Sequence, residues 1–413
     1  MKTYSTLRAI SYNDFENYPM IVEKRKESES SVFTGLFFQA FDAKQELLLK
    51  EEMELFFLVL PQTSLLKDKL NENSRQIDKL MNSLPEITKK NIFYHLLVEE
   101  IKASNDIEGV QSTRKEIRDA ISVILEKSQE DKRFKSLVYQ YMNFRKSKFS
   151  QITTIEDIRE IYEKLLKDEV AEEDKLSTGE LFRSEPVFIV DQRTGKKVHQ
   201  GAGGQEIIKK RLAHLVKFMN QEDIPTFEKA FISHFYFENI HPFYDGNGRI
   251  GRFILCSYLA RKLDYLSAIG VSVAILENKN KYYKAFQETS HPKNAGEATS
   301  FILDMFDILL KAQEKILSAL KEWESKLDTL QKNIQKLEQT NDERSVIYPL
   351  AQVRMYDSLD VLTDADIAVG IGISRQKLKN ILKDLKEKKH ITQVKQKPSI
   401  HELTDEFWSE LQK

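Results

Sequence analysis

Twelve consecutive residues, His241-Pro-Phe-Tyr-Asp245-Gly246-Asn247-Gly248-Arg249-Ile-Gly251-Arg252, constrain this chain more than any other stretch. Pro242 and the Gly246-Asn247-Gly248 run oppose a helix through the segment, which is therefore expected to be a loop. From Arg249 to Lys262 apolar residues recur at Ile250, Phe253, Ile254, Tyr258 and Leu259, the period of a buried helix. The loop thus feeds a helix N-terminus. Unpaired N–H groups and the positive end of the macrodipole favour an anion there, and glycines let phosphate oxygens come close. Arg249 and Arg252, at i and i+3, leave the first turn as neighbours and are placed to hold outer phosphates. Asp245 is the one carboxylate that a Mg²⁺ on phosphate oxygens would want. His241 has a side chain suited to take a proton from an attacking hydroxyl near neutral pH. An isolated Asn-Gly is more often a turn, and an isolated histidine more often structural. Their occurrence in one run points to a nucleotide-phosphate site.

The run resembles the signature of Fic-domain proteins, His-Pro-Phe-x-Asp/Glu-Gly-Asn-Gly-Arg-x-x-Arg, at every fixed position. The resemblance implies a mainly helical enzyme that transfers AMP from Mg·ATP to a Ser, Thr or Tyr hydroxyl of a protein, itself included. It implies His241 as general base, Asp245 as Mg²⁺ ligand, and Gly246, Asn247 and Gly248 as the anion cradle. Arg249 and Arg252 would hold the outer phosphates, with Gly251 among the nucleotide-binding positions. Such a transfer asks mainly for positioning and charge stabilisation.

Upstream, Ser104-Asn-Asp-Ile-Glu108-Gly109 ends a helical pattern. Ser104 and Glu108 form an i, i+4 pair, and Gly109 suits a helix C-terminus. The segment is similar to the Fic inhibitory motif Ser/Thr-x-x-x-Glu-Gly/Asn. That similarity implies a bidentate Glu108–Arg252 pair that competes with the γ-phosphate for the guanidinium fork. In some relatives this glutamate also supports removal of AMP.

The 413 residues suggest two to three domains, and a net charge of −1 exerts no global pull on nucleic acid or membrane. The single cysteine, Cys256, excludes an intramolecular disulfide and a cysteine-rich zinc site, and fits a reducing compartment. No apolar run reaches the length of a membrane span and no signal core opens the chain. A cytoplasmic protein without membrane contact is expected.

In order, the chain is read as an N-terminal helical region with the inhibitory helix (1–110), a Fic core (111–308), a long linking helix (309–344) and a winged helix-turn-helix (345–413). Asn17 to Met20 and Glu23 to Ser30 read as turns or strand ends. Helical spacing covers Ser64–Leu84, Glu86–Ser104, 114–126, 132–148 and Thr154–Asp168. Val187 to Val190, a turn at Asp191–Gly195 and Lys196 to His199 read as a hairpin at the position of the Fic flap, which clamps a target segment by strand pairing. The resemblance places nucleotide contacts at Val198 and Gly201. Gln205–Asn220 and Thr226–Asn239 are helical, and His234 reads as a packed core histidine. After a break at Ser267–Glu277, Tyr282 and Tyr283 open another helix and resemble the family's adenine-side residues.

From Leu309 an a/d seam appears, with Ile316, Trp323, Leu330 and Leu337 at heptad spacing and Leu320, Leu327 and Ile334 between them. It suits either an intramolecular helix or a homodimeric coiled coil. Beyond it, Ala368, Gly372 and Ser374 fit a helix-turn-helix, with Ile391–Val394 as a wing strand. Nine Lys/Arg against four Asp/Glu between Thr363 and Pro398 form a local basic patch. Arg375, Lys377 and Lys379 could meet DNA phosphates, although such modules also bind protein. A second functional class stays open, a transcriptional regulator whose Fic core senses nucleotide with little turnover.

Overall fold

The computed structural model describes residues 4–42, 46–147, 151–166, 169–190, 195–359 and 361–412. The chain is mainly helical, and its described strands form three separate two-stranded antiparallel hairpins. The N-terminal part comprises α1 (Leu7–Asn13), α2 (Tyr18–Lys26), β1 (Ser31–Asp42), β2 (Leu47–Leu58), α3 (Pro61–Ser83) and α4 (Glu86–Glu108). There follow α5 (Arg114–Leu125), α6 (Lys135–Arg145), α7 (Ile155–Leu166), β3 (Phe188–Val190) and β4 (Lys197–Gln200). The middle of the chain forms α8 (Gln205–Met219), α9 (Thr226–Ile240), α10 (Asn247–Lys262), α11 (Tyr265–Ala268), α12 (Val271–Glu277) and α13 (Lys279–Thr289). It ends with α14 (Thr299–Lys336), α15 (Asn341–Met355), α16 (Asp364–Ile371), α17 (Arg375–Glu387), β5 (Ile391–Lys395), β6 (Ile400–Leu403) and α18 (Asp405–Leu411).

Two compact units result, one from residues 1–74, 97–120 and 131–314, the other from 75–96, 121–130 and 315–413. In the first unit α9 is buried nearly all round, including Phe231, Phe235, Tyr236 and Phe237. Such burial makes α9 a core helix, and Ile240 at its C-terminus is fully buried. α10 is almost as buried and packs beside it. The loop between them is therefore anchored at both ends by buried helices.

Four expectations are corrected. β1 and β2 pair as a long hairpin within the region read as helical. Along β1, Leu36, Phe38 and Ala40 are buried in alternation, as a two-residue period demands. Phe38 sits edge-on to Phe235 at 5.9 Å, and Tyr236 donates its hydroxyl to the Phe37 carbonyl at 2.8 Å, so the hairpin is seated on α9. The stretch around Tyr18-Pro19 is the start of α2 rather than a turn, because Pro19 falls in a first turn, where its missing N–H costs nothing. The segment Ser267–Glu277 is largely helical. Asp264 caps α11 by accepting from Ser267 N at 2.7 Å, and Ser272 N, in α12, donates to buried Glu100 at 2.8 Å. Finally, the helix after the loop begins at Asn247, two residues before Arg249.

The other expected helices are present, with α3 and α4 meeting at Leu84-Pro85. The expected flap hairpin is β3 with β4, pairing Phe188 with Gln200 and Ile189 with His199. Of its turn only Gly195 lies within the described residues.

In the second unit the heptad seam of α14 is covered inside the chain. Leu320, Leu327, Leu330 and Ile334 are buried, and Trp323 stacks on Tyr356 with centroids 4.5 Å apart. Leu330 and Ile334 share a core with Leu378, Ile381, Leu382 and Leu385 of α17. Gly372, at φ 72°, turns α16 into α17, and Ser374 caps α17 by accepting from Lys377 N at 3.2 Å. β5 and β6 pair antiparallel behind them.

Candidate functional site at the N-terminus of helix α10

The loop between α9 and α10 is fixed by its own residues. His241 ends α9 in the left-handed region at φ 53°, and Pro242 follows. Phe243 is fully buried and stacks on Tyr162 at 4.0 Å. The Asn247 side chain accepts from Phe243 N at 2.9 Å and donates to Phe243 O at 2.8 Å, closing the loop on itself. Gly246 is the left-handed N-cap at φ 81°, and a Cβ there would fall 2.2 Å from Leu166 Cδ1. Gly248 falls in the first turn, where backbone N–H groups have no intrahelical partner.

A Cβ on Gly248 would lie 2.1 Å from Glu108 Oε1. The space at the head of α10 is thus taken by a carboxylate. Arg252 faces the same helix end. Its guanidinium donates from Nη1 to Glu108 Oε1 at 2.8 Å, from Nε to Ser104 Oγ at 3.1 Å and from Nη2 to the Ser104 carbonyl at 2.9 Å. The expected two-pronged carboxylate is therefore a single Glu108 bond, with Ser104 taking the rest of the fork. Gly109, at φ 75°, terminates α4 directly after Glu108, and Val110 N bonds back to Asn105 O at 2.9 Å. The end of α4 is also held by α13, since Lys279 Nζ donates to Ile107 O at 3.0 Å and Tyr283 Oη to the same carbonyl at 3.4 Å.

The two arginines have different surroundings. Arg249 is buried, bonding Glu169 Oε2 at 2.9 Å and Asp245 Oδ2 at 3.1 Å. Asp245, paired with Arg249 through Oδ2, is nearly half exposed. Among the described residues no group of three or more His, Cys, Asp or Glu is arranged to hold a metal. A single partly exposed carboxylate beside a helix N-terminus fits Mg²⁺ carried by phosphates, because that ion keeps several waters and takes few protein ligands.

His241 Nδ1 lies 3.3 Å from Glu238 O. A carbonyl can only accept, so this contact places the proton on Nδ1 and leaves the Nε2 lone pair for another group. Burial above all, then His199 and Arg183, pushes the imidazole pKa down to about 3, which keeps it neutral and basic in form. Glu238 behaves oppositely. Burial and the Glu108 charge raise its carboxyl to about 8.

The remaining expected residues are dispersed around this centre. Gly251 faces α9, where a Cβ would meet Glu238 Oε1 at 2.0 Å. Tyr282 is buried and its hydroxyl is 2.7 Å from His234 Nε2, so both belong to the core, as expected for His234. Tyr283 is the exposed member of the pair. Val198 falls at an irregularity of the β3–β4 register, and Gly201 lies beneath the loop, where a Cβ would sit 3.0 Å from His241 Cβ. Sequence reasoning missed Glu169, Glu238, Lys279 and Arg183. Their partners are 80 residues away for Glu169 and 58 for Arg183, and no local pattern carries such a signal.

Together these features define a helical protein in which a neutral histidine and the Glu108–Arg252 pair flank the N-terminus of α10. Residues 152–259 match the Fic/DOC family, and this part of the chain is a Fic domain. The Drosophila virilis protein named protein adenylyltransferase Fic is 26% identical over 221 residues, which are 53% of this chain and 40% of that protein. An Aquifex aeolicus protein named "Probable protein adenylyltransferase" is 38% identical over 69 residues, 17% of this chain and 19% of its own length. The chain thus spans less than half the length of these curated relatives. The crystal structure of a Fic family protein from Desulfovibrio desulfuricans G20 superposes with a TM-score of 0.51 at 19% identity, covering 84% of this chain and 97% of that one, a likeness of fold. Among the described residues no helix is long and apolar enough to cross a membrane.

Proposed function

We propose that this chain is a protein adenylyltransferase that transfers AMP from ATP to a Ser, Thr or Tyr hydroxyl of a protein, and that Glu108 holds it inactive. The observation that carries the reading is the Glu108 carboxylate on Arg252, against Gly248, in the space an anion would take. A carboxylate there competes with the outer phosphates for the same guanidinium. The names of the Drosophila and Aquifex relatives support the same chemistry.

In this reading the hydroxyl oxygen attacks the α-phosphorus, the bond to the β-phosphate bridging oxygen breaks, and pyrophosphate leaves. The hydroxyl proton goes to His241 Nε2, whose Nδ1 is already engaged with Glu238 O. First-turn N–H groups of α10 and Arg252 hold the phosphates once Glu108 withdraws. Asp245 would hold Mg²⁺, which when bound neutralises phosphate charge. Tyr283 offers an exposed ring edge to the adenine side. Glu108 could also orient a water for removal of AMP. The site in this reading works in the cytoplasm.

Intact-mass spectrometry of wild type and Glu108→Gly with Mg·ATP, alone and with lysate as a source of targets, tests it. A gain of AMP by the variant or by a target supports the reading. ATP binding by both chains with no AMP transfer favours the nucleotide-sensing regulator instead.

We also infer that the C-terminal helix-turn-helix meets duplex DNA through α17. Arg375, Gln376 and Lys379 are exposed on its N-terminal half, and Lys395 and Lys397 stand exposed at the β5–β6 turn. Binding of the full chain to a labelled duplex should weaken steeply with salt and fall for Lys379→Glu. Salt-independent binding, or none, counts against it.

A further inference from the structure

Arg183 is fully buried, yet among the described residues it forms no ion pair with a carboxylate. Its guanidinium is satisfied by main-chain carbonyls from three separate segments. Nε donates to His241 O at 2.7 Å, Nη1 to Glu185 O at 2.6 Å, and Nη2 to Ala202 O at 2.7 Å and Ile240 O at 3.2 Å. Its own backbone N donates to Pro242 O at 3.1 Å. A planar fork with five donors can tie several carbonyls at fixed angles, which an ammonium group cannot do.

The three segments are the irregular stretch preceding the β3–β4 hairpin, the residues following it, and the C-terminus of α9 with its loop. Ala202 N donates to Ile240 O at 3.0 Å, and His199 Nε2 lies 2.8 Å from Asn239 O. Ser184 N and Glu185 N both donate to Tyr244 Oη at 3.3 Å. Gly201 is a glycine because a Cβ would fall 2.4 Å from Arg183 Nη2. His241 itself holds a left-handed backbone, a conformation that costs about 1 kcal/mol or more and persists only where neighbours over-determine it.

We propose that Arg183 is a positioning residue that locks the backbone of His241 to the base of the β3–β4 hairpin, so that the base and the clamp for the target segment keep one geometry. This rests on the adenylyltransferase reading. The charge has a second effect. The groups that face His241 are Arg183, His199 on β4 and Glu238 on α9. An uncompensated guanidinium among them disfavours the imidazolium and keeps the base neutral.

The test uses the full chain with Glu108→Gly as parent, carrying Arg183→Lys or Arg183→Met. Lysine keeps the charge and loses the fork; methionine loses both. Arg183→Lys should lower kcat on the order of 100-fold with little change in KM for ATP, the mark of misplacement. NMR of the His241 imidazole should show its titration midpoint raised by methionine and held low by lysine. An Arg183→Lys chain that transfers AMP at the parental rate overturns the inference, as does an Arg183→Met chain with an unmoved midpoint. If the parent transfers no AMP, the functional reading fails separately, and amide exchange of Gly201 and Ala202 decides the positioning claim. Faster exchange in Arg183→Lys supports it, and unchanged exchange overturns it. Where the Arg183 variants do not fold, Tyr244→Phe removes the hydroxyl at the same junction. A several-fold fall in kcat is expected, and the full parental rate would overturn the inference.

Discussion

The Glu108 carboxylate lies 2.8 Å from Arg252 Nη1 while filling the space that a Cβ on Gly248 would need. One side chain thereby meets both the Arg252 guanidinium and the N-terminal turn of α10. Ser104 completes the arrangement by accepting from Arg252 Nε at 3.1 Å. Ser104→Ala removes that acceptor, so labelling with ATP should rise several-fold, less than in Glu108→Gly, with a stability loss of about 1 kcal/mol. Labelling as slow as wild type would leave Ser104 with no part in inhibition.

Lys279 is a second hold on the end of α4, through Ile107 O. Lys279→Met should release the end of α4 by about 1 kcal/mol, worth roughly a five-fold rise in basal transfer. Initial rates of AMP incorporation measure it, and a fall in rate would point instead to a role in binding nucleotide.

The pair between Arg249 and Glu169 is almost fully buried, at 2% and 4% side-chain exposure. Removing one member of such a pair strands the other. Glu169→Gln should cost about 3 kcal/mol in unfolding free energy, read from denaturant midpoints. A loss below about 0.5 kcal/mol would mean that Asp245 alone satisfies Arg249.

How much of this was legible beforehand follows from where the signals are local. The glycines, His241 and the two arginines sit in one loop, and the buried period of α9 and α10 is plain in the residues themselves. The hairpin at 31–58 was obscured because Lys50 to Glu54 is rich in helix formers and its strand state depends on pairing with β1. Arg249 reads as a phosphate ligand until Glu169 arrives from beyond α7. Arg183 carries no local signal, since nothing around it announces three converging carbonyl segments.

Acid stability carries a further consequence. His199, His234 and His241 are driven to about 4, 3 and 3, largely by burial. Below the ordinary histidine value of about 6.5 the unfolded chain binds these protons and the folded chain does not, so stability falls as pH drops through that window. Glu238 and Glu297, raised to about 8 and 7, act in the opposite sense between the ordinary carboxyl value and those points. Replacing one histidine isolates its share. In His234→Gln the difference in Tm between pH 7 and pH 5 should shrink, whatever the change at pH 7. An unaltered difference would show that His234 titrates normally.

The most direct measurement compares AMP incorporation by wild type, Glu108→Gly and Glu108→Gly/His241→Ala, by intact mass with Mg·ATP and a lysate. The account predicts slow labelling by wild type, fast labelling by the single variant, and none by the double variant, which should still bind ATP. Labelling by the double variant at the rate of Glu108→Gly would contradict the assignment of His241 as the base. Equal labelling by wild type and Glu108→Gly would contradict inhibition through Arg252.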